Sequence, residues 1–199
     1  MNAHMSQIMR LARSKGLLRP RDLAEIGVPR QYLLLACEQG ALERVGRGLY
    51  CLPDAMMDEH RSFAEVCKRV PSGVISLLSA LQFHEISTQI PHEVWLAIGE
   101  KSRKPKIDTM QLRTVRFSGP AFSEGIEAHN FNGVECRIYN PAKTIADCFK
   151  YRNKIGLDVA LEALRDALRG KKASIDELVH YGRICRVEKV MKSYIEAMI

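Results

Sequence analysis

The chain has 199 residues, with 30 Lys and Arg against 23 Asp and Glu, a formal charge of +7 at pH 7 and 46% hydrophobic residues. That length suits two modest domains of ordinary globular composition, and no apolar run approaches the roughly 18–20 residues of a membrane span. No apolar segment follows a basic N-terminus as in a secretory signal, so a soluble protein of the cytoplasm is expected.

Positive charge is denser at the front. Residues 1–53 hold eight Lys and Arg against four Asp and Glu, whereas residues 54–199 hold twenty-two against nineteen. Such a field steers a protein toward a polyanion, although many basic domains bind nothing specific.

Ser6 is placed to cap a helix running to about Lys15, with Ile8, Met9, Leu11 and Ala12 as its apolar stripe and Gly16 as its stop. Pro20 suits the first turn of a second helix, Asp22 complements the positive end of its dipole, and Gly27 ends it. A third helix is expected from Pro29 to Gln39, closed by Gly40, with Tyr32, Leu33, Ala36 and Cys37 facing inward. Two alternating segments, Leu42-Glu43-Arg44-Val45 and Leu49-Tyr50-Cys51-Leu52, are then joined across Gly46-Arg47-Gly48 as a hairpin. Helix, tight turn, helix and basic hairpin together read as a winged helix-turn-helix, which sets one helix in the DNA major groove with the hairpin beside it.

Arg30 and Gln31 stand at the end of the third helix that a reader presents to base edges. Arginine pairs bidentately with guanine and glutamine with adenine, each worth roughly 1–3 kcal/mol of discrimination. The competing reading is a solvated helix end. Leu34 and Leu35 project where a DNA reader carries polar groups, which points to a helix partly covered by another element. Arg47 at the hairpin tip, supported by Arg44, is placed to meet a phosphate or a minor groove, against the alternative of a solubilising arginine. Arg19 and Arg21, at the start of the second helix, complete the candidate DNA contacts.

A change of domain is expected around Pro53-Asp54-Ala55-Met56-Met57-Asp58, giving domains 1–53 and 54–199. Helical patterns cover His60 to Arg69 and about Ile75 to His84. The period then shortens, and strands are expected over Glu93 to Ile98, Leu112 to Phe117, Gly125 to Phe131 and Val134 to Tyr139, with Asn132-Gly133 as a hairpin turn. Between the first two lies a basic loop holding Lys101, Arg103, Lys104 and Lys106, either a contact for nucleic acid or an acidic partner, or simply solvated.

After Tyr139 the chain reads as helical. Asn140 is a good N-cap and Pro141 a good first residue, while Lys143 and Asp147, four apart, form either a helix-surface pair or a docking feature for a partner. Further helices are expected over Leu157 to Leu168, from a Ser174-to-Glu177 capping box, and over Val187 to Met198. The fold class is therefore α+β, a winged helix followed by a mixed α/β domain with a helical C-terminal half.

The six cysteines are Cys37, Cys51, Cys67, Cys136, Cys148 and Cys185. They form no CxxC pair and lack the close histidine spacing of a zinc site, so reduced, buried thiols and no metal or other cofactor are expected. No HExxH, P-loop, nucleophile elbow or nuclease-type acidic-x-Lys cluster is evident, so an enzyme is not the expected class.

The sequence Leu42 to Tyr50, followed at a distance by Tyr139 to Asp158, resembles the AbiEi family of bacterial antitoxins over nearly the full chain. The resemblance implies a component of a type IV toxin–antitoxin system of abortive-infection, phage-defence type. Its winged helix would bind inverted repeats in the double-stranded DNA of its own promoter and repress transcription. Its C-terminal domain would counteract a nucleotidyltransferase-like toxin, without any need for a stable complex. Arg30, Gln31, Arg44 and Arg47 occupy the matching positions for DNA contact, and Lys101, Arg103, Lys104, Lys143 and Asp147 are the candidate partner surface. Monomer or DNA-bound dimer stays open. Two other classes remain in play: a ligand-responsive winged-helix transcription factor and a nucleic-acid-processing enzyme.

Overall fold

The computed structural model describes residues 3–54, 60–131 and 133–198. The chain forms two compact units, Met1–Pro71 with His129–Cys136, and Ser72–Ala128 with Arg137–Ile199. The expected junction at 53/54 falls inside the first unit, and its residues Ala55 to Asp58 lie outside the described residues.

In the first unit, α1 (Ala3–Lys15), α2 (Pro20–Ala24) and α3 (Gln31–Glu38) precede a hairpin of β1 (Glu43–Gly46) and β2 (Leu49–Cys51). Gly16, Gly27 and Gly40 each carry a positive φ, of 62°, 68° and 68°, which turns the chain at the end of each helix. The hairpin is antiparallel, with an irregularity between Arg44 and Gly46 and the tight turn at Arg47 and Gly48. Leu18, between α1 and α2, adds a third strand position by exchanging both backbone hydrogen bonds with Tyr50, at 2.8 and 3.0 Å. Ile8, Leu18, Leu23, Leu33, Ala36 and Leu42 converge in one apolar core. This is the order of a winged helix-turn-helix, with α3 in the position of the recognition helix. The first unit also includes α4 (Arg61–Arg69), which buries Phe63, Ala64, Val66 and Cys67.

The second unit is built on a mixed sheet in the order β5-β4-β3-β7-β6. Its strands are β3 (Val74–Ile75), β4 (Val94–Gly99), β5 (Leu112–Phe117), β6 (Ile126–Phe131) and β7 (Val134–Tyr139), the tips of the last two clustering with the first unit. β3 runs antiparallel to β4 and parallel to β7, and β4 runs parallel to β5. The Asn132 half of the expected Asn-Gly turn lies outside the described residues; Gly133 follows it with φ of 79°.

The helices are α5 (Leu77–Phe83), α6 (Pro120–Ser123), α7 (Pro141–Lys150), α8 (Arg152–Ile155), α9 (Leu157–Arg169), α10 (Ile175–Ile184) and α11 (Glu188–Met198). Asn140 caps α7 by accepting a hydrogen bond from the Lys143 amide at 2.8 Å, with Pro141 in its first turn. Ser174 and Glu177 form the expected capping box on α10. Two expectations are corrected. The first helix already starts at Ala3, so Ser6 lies within its first turns and is not its cap. The helix read from Ile75 begins only at Leu77, because Val74 and Ile75 are taken up as a strand between β4 and β7. A short, fully buried apolar run has no period that separates strand from helix, and here the β-branched pair goes to the sheet.

At Gly40 an added Cβ would meet nothing within 4 Å, yet φ is +68°. Gly40→Ala therefore isolates the left-handed backbone cost and should destabilise the protein by about 1–2 kcal/mol, read as a lower urea midpoint with an unchanged far-ultraviolet circular dichroism spectrum.

Candidate nucleic-acid interface

Helix α3 divides its eight residues cleanly between core and solvent. Leu33 and Ala36 are buried, with Tyr32 and Cys37 partly so. Gln31, Leu34, Leu35 and Glu38 are all exposed, at i, i+3, i+4 and i+7, and so form one outward stripe. Arg30 stands exposed at its N-cap position. Leu34 is 55% and Leu35 37% exposed, so the expectation of a helix covered on this side is corrected. The inward contacts are already made by Leu33 and Ala36 on the neighbouring face.

On the hairpin, Arg44 and Arg47 are both exposed. Arg44 Nε donates to the Gly46 carbonyl at 3.3 Å across the irregular stretch, and Gly48, with φ of 67°, lets the turn close beside Arg47. Burial raises the pKa of the Cys37 thiol, and the charge of Arg44 opposes that shift.

The start of α2 is held differently. The Arg19 amide donates to Asp22 Oδ2 at 2.7 Å and the Asp22 amide to the Arg19 carbonyl at 2.9 Å. Asp22 is buried, which by itself would raise its pKa. The Arg19 amide and the charges of Lys68 and Lys15 outweigh that and hold the carboxyl below its ordinary range. Arg19 is half-buried, with Nη2 enclosed and without a hydrogen-bond partner among the described residues. Burial, together with the charges of Arg21 and Arg69, lowers its pKa. Arg21 is exposed and Arg19 is not freely so; of the two, Arg21 is the residue presented to solvent. The contribution of Lys68 was not legible in the sequence, because α4 lies beyond the hairpin and nothing local links it to Asp22.

In the second unit, Lys101, Arg103 and Lys104 are exposed on the connection between the parallel strands β4 and β5. The Arg116 guanidinium anchors the start of that connection through the carbonyls of Gly99, Glu100 and Ser102, at 3.3, 2.6 and 2.7 Å.

Lys143 and Asp147 do pair, at 2.6 Å, but both side chains are 0% exposed. The expected surface pair or docking feature is thereby corrected. Lys143 Nζ lies 4.1 Å from the centroid of the Tyr139 ring and 4.8 Å from that of Phe117, a cation–π setting. The Cys185 thiol donates to Asp147 Oδ1 at 3.2 Å. Burial raises the Asp147 pKa, with the charge and hydrogen bond of Lys143 opposing it, and burial beside Asp147 pushes the Cys185 thiol up to about 12. Gly125 closes over the lysine stem, since a Cβ there would come within 2.7 Å of Lys143 Cβ. All six cysteines are free thiols, five of them buried.

The arrangement of α2, α3 and hairpin has a counterpart among known families. Residues 6–53 match the model of a family described as transcriptional regulator, AbiEi antitoxin. The N-terminal segment is thus similar to the AbiEi family over about a quarter of the chain. That assignment supports an antitoxin or regulatory role for the chain, and the AbiEi-type segment ends just after the hairpin. Among solved structures, the RV2827C protein from Mycobacterium tuberculosis is similar, with a TM-score of 0.61 and 14% identity over 91% of this chain and 71% of that one, a likeness of fold alone. No curated protein matches the chain. No helix among the described residues is long and apolar enough to cross a membrane.

The buried pair below the AbiEi-type segment in sequence has a measurable consequence. Lys143→Met leaves Asp147 buried without its counter-charge and should cost about 3–5 kcal/mol, whereas Lys143→Met combined with Asp147→Leu should recover most of that loss. Urea unfolding of the two variants beside the parent checks both values.

Proposed function

We propose that the chain is a DNA-binding antitoxin without catalytic activity of its own. It represses its own promoter through the winged helix and counteracts a nucleotidyltransferase-like toxin encoded beside it. The observation that carries the first half is the outward stripe of α3, headed by exposed Arg30, together with exposed Arg44 and Arg47 on the hairpin, in a segment similar to the AbiEi family. On this reading α3 enters the major groove of an operator with inverted repeats. Arg30 and Gln31 meet base edges at its leading end, and Arg44, Arg47 and Arg21 meet phosphates. The second half rests on the family assignment, with Lys101, Arg103 and Lys104 as the exposed cationic surface of the second unit available to the toxin or its substrate.

Binding to the upstream region of the chain's own gene should protect an inverted repeat in footprinting. Because each phosphate contact releases counterions, Arg44→Ala and Arg47→Ala should each weaken binding to all sequences alike and flatten the dependence of log affinity on log salt by about one. Absence of protection at low salt by folded protein overturns the autorepressor reading.

Expression of the neighbouring gene should arrest growth, and co-expression of this chain should relieve the arrest. The Arg44→Ala, Arg47→Ala double variant should lose repression and still rescue, since the two activities are assigned to different units. Failure to rescue leaves a DNA-binding regulator in place of an antitoxin.

A further inference from the structure

The outward stripe of α3 is half apolar, which phosphate contacts and hydrogen bonds to bases do not account for. Among the described residues the large hydrophobic side chains that stand exposed are Leu34, Leu35, Ile90 and Ile175, and only the two leucines belong to the first unit. They sit side by side in the middle of the stripe, behind Gln31 and ahead of Glu38. Arg30 is exposed at the head of the helix, and Arg44 and Arg47 are exposed on the hairpin that follows it in the same unit.

An exposed apolar pair on a helix headed by an exposed arginine, in a unit that presents two more on its hairpin, suits a polyanion whose groove floor carries methyl groups. The major groove offers one such group, the 5-methyl of thymine, and apolar side chains are the partners that read it. A second protein copy fits less well. Two leucines fall far short of the roughly 1,600 Å² buried in a standard protein interface, and like-charged arginines would face each other across a symmetric contact. Glu38 accepts but does not donate hydrogen bonds, so its end of the stripe is repelled by phosphates and suits the groove floor, where cytosine amino groups donate.

We propose that Leu34 and Leu35 read thymine methyl groups in the major groove, and so set sequence preference in this protein. The inference rests on the duplex-binding reading above. Gln31 then selects at the leading end of the helix by hydrogen bonding, and the leucines select in its middle by excluding water from methyls.

The test uses the full chain and a duplex selected by it from a random-sequence library, resynthesised with deoxyuridine in place of thymidine at one position at a time. Uracil keeps every hydrogen-bonding group of thymine and lacks only the methyl. At one or two positions the substitution should weaken binding about fourfold, the effect of one buried methylene-sized group. The Leu34→Ala, Leu35→Ala variant should show no such loss there, and because both side chains are exposed the variant should keep the parent's unfolding midpoint.

Equal losses for parent and variant, or no loss at any position, overturn the methyl reading while leaving duplex binding intact. Failure of the parent to select any duplex overturns the duplex-binding reading and this inference together. Loss of self-association in the variant, measured by sedimentation and with unchanged DNA affinity, assigns the leucines to a second copy of the chain instead.

Discussion

A helix with charges and almost no exposed side governs the second unit. From Ala142 to Phe149 every side chain of α7 is buried, and α5, α9 and α10 all pack against it. A helix surrounded in this way is ordinarily apolar all round, because an ion taken out of water loses several kcal/mol of hydration. Lys143 and Asp147 are tolerated only because each satisfies the other and both find further partners on different elements. Phe117 and Tyr139 bring β5 and β7 to the ammonium, and Cys185, just past α10, brings its thiol to the carboxylate. Sliding α7 by one turn would strip the lysine from its rings and the aspartate from its donor at once. The pair therefore does more to forbid alternative packings of α7 than to add net stability, since its Coulomb attraction is largely offset by desolvation.

The first unit obeys the reverse economy. Its helices are short, and α2 has a single fully buried apolar side chain, Leu23, beside a buried carboxylate. Asp22 stays ionised there because the Arg19 amide and two lysines surround it, and this fixes how α2 leaves the turn after α1. The Leu18 bridge to Tyr50 fixes the hairpin against the same turn. With its inner face and both flanks settled in this way, α3 is free to expose a full stripe of side chains that make no contribution to the core.

What the sequence made legible follows from the range of each interaction. Asn140 and Pro141 at the start of α7, Ser174 and Glu177 at the start of α10, and the glycines closing the first three helices act over three or four residues, so their spacing alone identifies them. β3 and the Leu18 strand position are two residues and one residue long, and exist only through partners far away in the chain; no local pattern announces them. The i, i+4 spacing of Lys143 and Asp147 gave their pairing correctly but carries no information about which side of the helix meets water. Leu34 and Leu35 pose the opposite problem. Leucines are usually inward, and only their place at i+3 and i+4 from Gln31, opposite Leu33 and Ala36, shows that the core has no room for them.

That place on the helix also divides labour within the proposed interface. Arginines on the hairpin act through charge, which every duplex satisfies equally, so they supply affinity and register without choosing a sequence. Choice has to come from groups that reach the groove floor, and there a leucine has an advantage over a further arginine. It gains by contact with a methyl and loses when a polar base edge takes the methyl's place, because the displaced water is not replaced by any hydrogen bond. An arginine in the same position would keep its attraction to phosphates on every sequence and so blur the discrimination. On the proposed reading, the apolar centre of α3 and the exposed arginines of its unit are therefore complementary, the arginines holding the helix in the groove and the centre rejecting the wrong bases.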